Sequence, residues 1–167
     1  PPPHGGVFQH AARTMASKAP PPRDLSWIGD GLEIAEEGEV GLFVGCLPLF
    51  EAYFASELGV RPLEIARSAI RLLNGAGIRP VLVPEERCCG HDLFWNGESE
   101  AFGALARANA KAFSERGVKR VVTACAECCR TWRLDYPEVA GGYAPRVEHI
   151  AEFIAEGIAR SAWTFRP

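Results

Sequence analysis

The chain has 167 residues, 47% of them apolar, with a net charge of −3 and a pI near 5.9. That length suggests one domain able to bury a core without staples. The balance excludes the basic surface of a nucleic-acid binder, and the longest apolar run, "GLFVGCLPLF", is far too short to span a bilayer.

Residues 1–39 read as a Pro-rich lead-in or linker. The N-terminus "PPPHGGVFQH" lacks the basic and apolar regions of a secretion signal, and its first residue is not Met, as in a fragment or processed chain. Pro1–Pro3 and Pro20–Pro22 bracket a helix-capable piece, "AARTMASKA", and Trp27 and Ile28 are anchors in a polar stretch suited to wrapping a surface. From Val40 the pattern becomes regular. "EVGLFVGC" predicts a buried strand ending at Cys46. "LFEAYFASELG" places Phe50, Phe54 and Leu58 on one helical face, and "PLEIARSAIRLLNGAG" carries a stripe of Leu63, Ala66, Ile70 and Leu73. "RPVLVPEE" predicts a second strand. "SEAFGALARANAKAFSERG" predicts a helix with Phe102, Leu105, Ala106 and Phe113 inward, stopping at Gly117. "KRVVTAC" is a third strand and "AECCRTWRLDYP" a helix ending at Pro137. "APRVEHIAEFIAEGIARSAW" predicts a fourth short strand running into a last helix with Ile150, Phe153, Ile154 and Ile158 apolar, followed by a tail over 161–167.

Strands alternating with helices predict an α/β fold: an open, parallel, Rossmann-like sheet of about four strands with helices on both faces, over residues 40–160. The cysteines fall at the carboxyl ends of those strands. Cys46 ends the first, Cys88 and Cys89 follow the second, Cys125 ends the third, and Cys128 and Cys129 open the next helix. Ligands of open α/β sheets bind beyond this edge, so all six cysteines are expected to converge there.

The spacing favours metal or redox chemistry over structural disulfides. Cys125 and Cys128 share a face at a helix N-terminus, where thiols ionise more readily. Simple packing would account for one cysteine, Cys129, but not for five at three strand ends. Zinc needs four ligands, commonly from two CxxC pairs, whereas this chain has one CxxC, one CC and a lone Cys. A cubane iron–sulfur cluster takes four cysteines, and here five are on offer. Adjacent residues chelate one atom poorly but can bind different irons of one cluster. Gly90 after the pair permits a positive φ or a close backbone approach.

"Cys46 … Cys88-Cys89-Gly90 … Cys125-Ala-Glu-Cys128" resembles the cysteine-rich CCG domain found in the B- and D-type subunits of heterodisulfide reductases and in the iron–sulfur subunits of glycolate oxidase and anaerobic glycerol-3-phosphate dehydrogenase. The interval of 35 residues (90–124) fits that pattern; the interval of 41 (47–87) is slightly long, which places extra residues in the connection after "GCLPLF". The resemblance spans about residues 40–157. It implies that Cys46, Cys88, Cys89, Cys125 and Cys128 ligate a non-cubane [4Fe-4S] cluster that cleaves disulfides or transfers electrons. It also implies a cytoplasmic oxidoreductase working with other subunits: a flavin or ferredoxin-like electron donor, or a second CCG domain. The alternatives are an electron relay for a flavin-dependent hydroxy-acid dehydrogenase, and a non-catalytic zinc-binding or metal-free scaffold. No CxxCxxCxxxC ferredoxin motif is present. Direct membrane insertion is not expected.

Around the cysteines, His91 is a candidate proton donor to a leaving thiolate, or a loop histidine with a structural hydrogen bond. His149 ends the fourth predicted strand at the same edge. Trp95 and Trp132 are expected to shield the site. Arg130 and Arg133 would offset its charge or simply be solvated, and Glu127 is a first-turn helix acid.

Overall fold

A computed structural model describes residues 3–18, 20 and 23–160. The final residues of the last predicted helix and the tail over 161–167 lie outside these. Three parallel strands form the sheet in the order β1 (Val40–Phe43), β2 (Arg120–Thr123), β3 (Arg146–His149), with Val40 beside Arg120 and Thr123 beside His149. Seven α-helices occur among the described residues: α1 (Val7–Ala16), α2 (Leu47–Leu58), α3 (Leu63–Gly75), α4 (His91–Trp95), α5 (Ser99–Glu115), α6 (Ala126–Arg130) and α7 (Ile150–Ala159).

The sheet thus has three strands rather than about four. The "RPVLVPEE" segment lies parallel to β1 but makes only isolated bridges, from Val81 to Ala35 and Gly41. Val81 N–H donates to the Val40 carbonyl (2.8 Å), and its carbonyl accepts from Leu42 (3.0 Å). Pro80 and Pro84 bracket the segment and have no N–H to extend a ladder, so three residues remain between them. Including this segment, the spatial order is 2-1-3-4 in sequence terms. The chain winds outward from β1 and then back across it, which puts the topological switch point between β1 and β2.

Side chains alternate across the sheet, and each face has its own core. Phe43, Val121 and Val147 pack with α1, α4, α5 and α6 through Ala12, Leu93, Phe102, Leu105 and Phe113. Leu42 and Val122 pack with α3 and α7 through Ala69, Ile70, Leu73 and Phe153. The predicted stripes of α3 and α5 are buried as expected. Two helices differ. No residue of α2 is buried, and Leu58 is 66% exposed. Only Leu49 of this helix packs against a core; otherwise it is met by α3 and by Phe8, whose ring meets Phe50 at 5.2 Å. In α7 only Phe153 is buried, and Ile158 is exposed.

The lead-in contributes to the core: Ala11, Ala12 and Met15 of α1 are buried against α4 and α5. After α6 the chain continues through a π-helical turn (Thr131–Asp135) into a 3₁₀ turn (Tyr136–Glu138). Pro137 is tolerated there because it stands in the turn's opening positions, where an N–H is not required. No described helix is long and apolar enough to cross a membrane.

Candidate metal centre

Each strand end delivers its cysteine through a short, sharply turned loop. Gly45 adopts φ +66° between β1 and Cys46, and a Cβ there would lie 3.4 Å from Cys128 Sγ. Cys46 leads directly into α2 and Cys125 is the N-cap of α6. Cys88 and Cys89 precede Gly90, whose φ of +83° turns the backbone into α4. Its predicted role is realised, but the group that it approaches is protein: a Cβ at Gly90 would meet Phe102 Cδ2 at 2.8 Å.

The five predicted ligands form one set of neighbouring thiols. Cys46 Sγ lies 3.1 Å from Cys88 Sγ. The Cys88 thiol is also within interaction range of that of Cys89, Cys89 of that of Cys128, and Cys128 of that of Cys125. Three loops distant in sequence therefore bring five sulfurs together at the carboxyl edge of the sheet. Cys88, Cys89 and Cys128 are buried, Cys46 and Cys125 are half-buried, and all six cysteines are free thiols. Cys129 is buried too but stands outside that set, packed in the core with its N–H on the Cys125 carbonyl (2.9 Å).

The thiols are not equivalent. Contacts from Cys46 and Cys89, helped by the Gly90 N–H (3.3 Å), hold Cys88 well below the ordinary thiol range despite its burial. The reciprocal contact with Cys88, together with burial, pushes Cys46 up. Cys128 pulls Cys89 down, but Cys88 and burial outweigh it and Cys89 is raised. Contacts with Cys125 and Cys89, with burial, raise Cys128. Cys125 is lowered to about 7, first by the Cys128 thiol and then by the N–H groups of Cys128 and Glu127. Two of the five sulfurs thus favour the thiolate, the form that binds metal. Among the described residues no three His, Cys, Asp or Glu side chains are grouped to hold a single ion. Five soft donors are one more than a tetrahedral zinc takes.

The supporting residues were not evident from the sequence. Glu86, 3% exposed, accepts from the N–H groups of Val44 (3.1 Å) and Gly45 (2.6 Å), and it pairs with Arg23. Burial raises its carboxyl to about 7, against the pull of Arg23. Asn109, fully buried in α5, accepts from Arg87 N–H (2.7 Å) and donates to the Cys88 carbonyl (3.1 Å) and to Tyr136 Oη (2.9 Å). Tyr136 in turn donates to the Cys89 carbonyl (3.1 Å). Asn109 looks in the sequence like any polar residue of a long helix. Only its burial shows that it satisfies the peptide groups around the cysteine pair.

The remaining candidates divide. His91 lies beside the pair, with its backbone amide near the Cys89 thiol and its Nδ1 3.2 Å from Thr131 Oγ1; Nε2 is 4.0 Å from exposed Glu127. His149 caps α7: its Nδ1 accepts from Ala151 N–H and its own N–H donates to Glu152. Trp132 is buried against Phe43, Phe113 and Tyr136, whereas Trp95 is 61% exposed under the Arg130 guanidinium. Arg130 pairs with Asp135, and Arg133 binds Glu152 and the Val147 carbonyl. Beside Cys125, between the ends of β1 and β2, lies an apolar cleft of about 250 Å³ lined by Val44, Leu47, Ile65, Ala66 and Ala124.

The sequence profile of the cysteine-rich domain CCG matches residues 40–132. The chain is 33% identical over 137 residues to a subunit (the one lettered D) of the dihydromethanophenazine:CoB–CoM heterodisulfide reductase of Methanosarcina mazei, covering 79% of this chain and 31% of that protein. It is 34% identical over 103 residues to an uncharacterised iron–sulfur protein of Methanococcus maripaludis (62% and 19%). It is 28% identical over 128 residues to the EtfAB:quinone oxidoreductase of Syntrophomonas wolfei (76% and 16%). The chain spans about a third or less of the length of these relatives. No solved structure gives a significant match.

Proposed function

The chain belongs to the cysteine-rich CCG domain family, and from that premise we propose that its five neighbouring thiols hold a non-cubane [4Fe-4S] cluster in a heterodisulfide reductase-like oxidoreductase. The observation that carries this reading is the convergence of Cys46, Cys88, Cys89, Cys128 and Cys125 from three loops on one edge of the sheet. Bound there, the cluster would supply one-electron chemistry to a disulfide or a partner. The chain's residues do the rest. Cys125 is half-buried beside an apolar cleft, so a substrate thiol or disulfide has an approach to this end of the set. That access favours disulfide chemistry over a sealed electron relay. His91 follows the cysteine pair at the start of α4, hydrogen-bonded to Thr131, and is assigned the transfer of a proton to a departing thiolate.

The partners are other oxidoreductase subunits, because the similar proteins include subunits of such enzymes. Free thiols throughout suit a reducing compartment, and the cytoplasm is the location proposed. The test is EPR spectroscopy of anaerobically prepared protein titrated with a small aliphatic thiol under oxidising conditions. A new paramagnetic signal that depends on thiol is expected. A cluster signal indifferent to thiol would assign the domain to electron relay instead.

A further inference from the structure

Met15 and Arg23 precede the region matched to the family, yet both bond the cysteine loops. Met15 Sδ accepts the Cys88 N–H at 2.8 Å, and Arg87 Nη1 reaches back to the Met15 carbonyl (3.3 Å). Arg23 goes further. Its Nη1 donates to the Glu86 carbonyl (2.7 Å) and carboxylate (3.2 Å), and its Nη2 to the Gly45 carbonyl (2.7 Å). The Arg23 side chain is 13% exposed and that of Glu86 2%.

These bonds have a mechanical consequence. The Gly45 residue just before Cys46 is held at its N–H by Glu86 and at its carbonyl by Arg23. Glu86 stands two residues before Cys88. One guanidinium therefore joins the Cys46 loop to the Cys88 loop, whose thiols touch at 3.1 Å. The acceptors lie on two different loops, which suits a planar fork and not the single point of an ammonium group.

We propose that Arg23, carried by the N-terminal arm, is a positioning residue of the metal centre: it fixes the Cys46 loop against the Cys88 loop and supplies positive charge beside the loops that would hold the cluster. This rests on the iron–sulfur reading above. The arm is then a working part of the site, not a tether.

Full-length Arg23→Lys and Arg23→Gln separate the two roles. In reduced, metal-free protein, iodoacetamide alkylation of Cys46 is followed by mass spectrometry with Cys125 as the internal reference. Both variants are expected to raise the Cys46/Cys125 rate ratio by about tenfold, because each loses the fork. In iron-loaded protein, Arg23→Gln is expected to shift the midpoint potential negative, because a nearby cation that favours the reduced cluster is gone; Arg23→Lys should shift it less. Circular dichroism verifies folding. Hydrogen exchange of the unaltered chain provides a second check that needs no variant, since the Gly45 amide should exchange as slowly as those of β1. An unchanged rate ratio in folded variants, or rapid exchange at Gly45, overturns the clamp. Equal potentials in wild type and Arg23→Gln overturn the charge role. A wild-type chain that binds no iron refutes the cluster reading separately, and the clamp is then decided by the rate ratio and the exchange.

Discussion

Gly90→Ala attacks the turn that presents both adjacent cysteines. Gly90 has φ +83°, a left-handed conformation that costs an L-residue about 1–2 kcal/mol. The added methyl would also sit 2.8 Å from Phe102 Cδ2 and 3.3 Å from Leu105 Cδ1. Neither neighbour yields easily. Leu105 is fully buried; Phe102 is 2% exposed and held between the tilted rings of Phe94 (5.0 Å) and Tyr136 (6.0 Å). Overpacking of this kind costs roughly 1–3 kcal/mol, while the stiffer unfolded chain returns about 0.4–1 kcal/mol. The net expectation is a loss of about 1–4.5 kcal/mol, centred near 3 kcal/mol. With a urea slope of about 1–3 kcal/mol/M, the unfolding midpoint should fall by roughly 1–2 M. Adding Phe102→Leu should recover the steric part and leave the backbone part. Tyr136 bonds the Cys89 carbonyl, so displacing Phe102 should also reduce iron uptake. A midpoint within about 0.2 M of wild type, close to the precision of such an assay, would refute the reasoning.

Asn109→Leu removes the partners of Arg87 N–H, the Cys88 carbonyl and Tyr136 Oη at once, and should cost about 2–4 kcal/mol by chemical denaturation. Glu86 gives the metal-free protein a pH dependence. Its folded pKa of about 7 lies above the ordinary value of 4.5, so its stabilising contribution is complete below pH 4.5 and is lost as pH rises to about 7. The loss is about 3 kcal/mol, and Glu86→Gln should flatten that part of a stability–pH curve. Cys129→Ala should keep its iron and cost about 1 kcal/mol of stability, whereas Cys125→Ala should lose the cluster. Equal, severe iron loss in the two, measured side by side, would make Cys129 a ligand.

Periodicity and strand-end placement made the sheet edge legible. Short apolar runs followed at once by Cys46 and Cys125 located β1 and β2, and the stripe of Leu63, Ala66, Ile70 and Leu73 located α3. The "RPVLV" run has the apolar pattern of a strand, but ladder length depends on N–H donors, and the flanking prolines remove them. The α2 stripe shows the converse. Phe50, Phe54 and Leu58 recur at helical spacing, yet whether a partner covers them is a tertiary matter, and here no core does. Arg23 and Glu86 were hidden for a related reason. Neither belongs to a motif, and they meet across 62 intervening positions (24–85) only because the arm folds back over the cysteine loops. His149 reads equally as a site residue or a cap until its bonds to Ala151 and Glu152 are seen.

The central claim, that five thiols at one sheet edge hold an iron–sulfur cluster, is tested most directly by iron, acid-labile sulfide and zinc analysis of protein purified without oxygen. The account predicts about four irons and about four sulfides per chain and no bound zinc. Stoichiometric zinc without labile sulfide would contradict it.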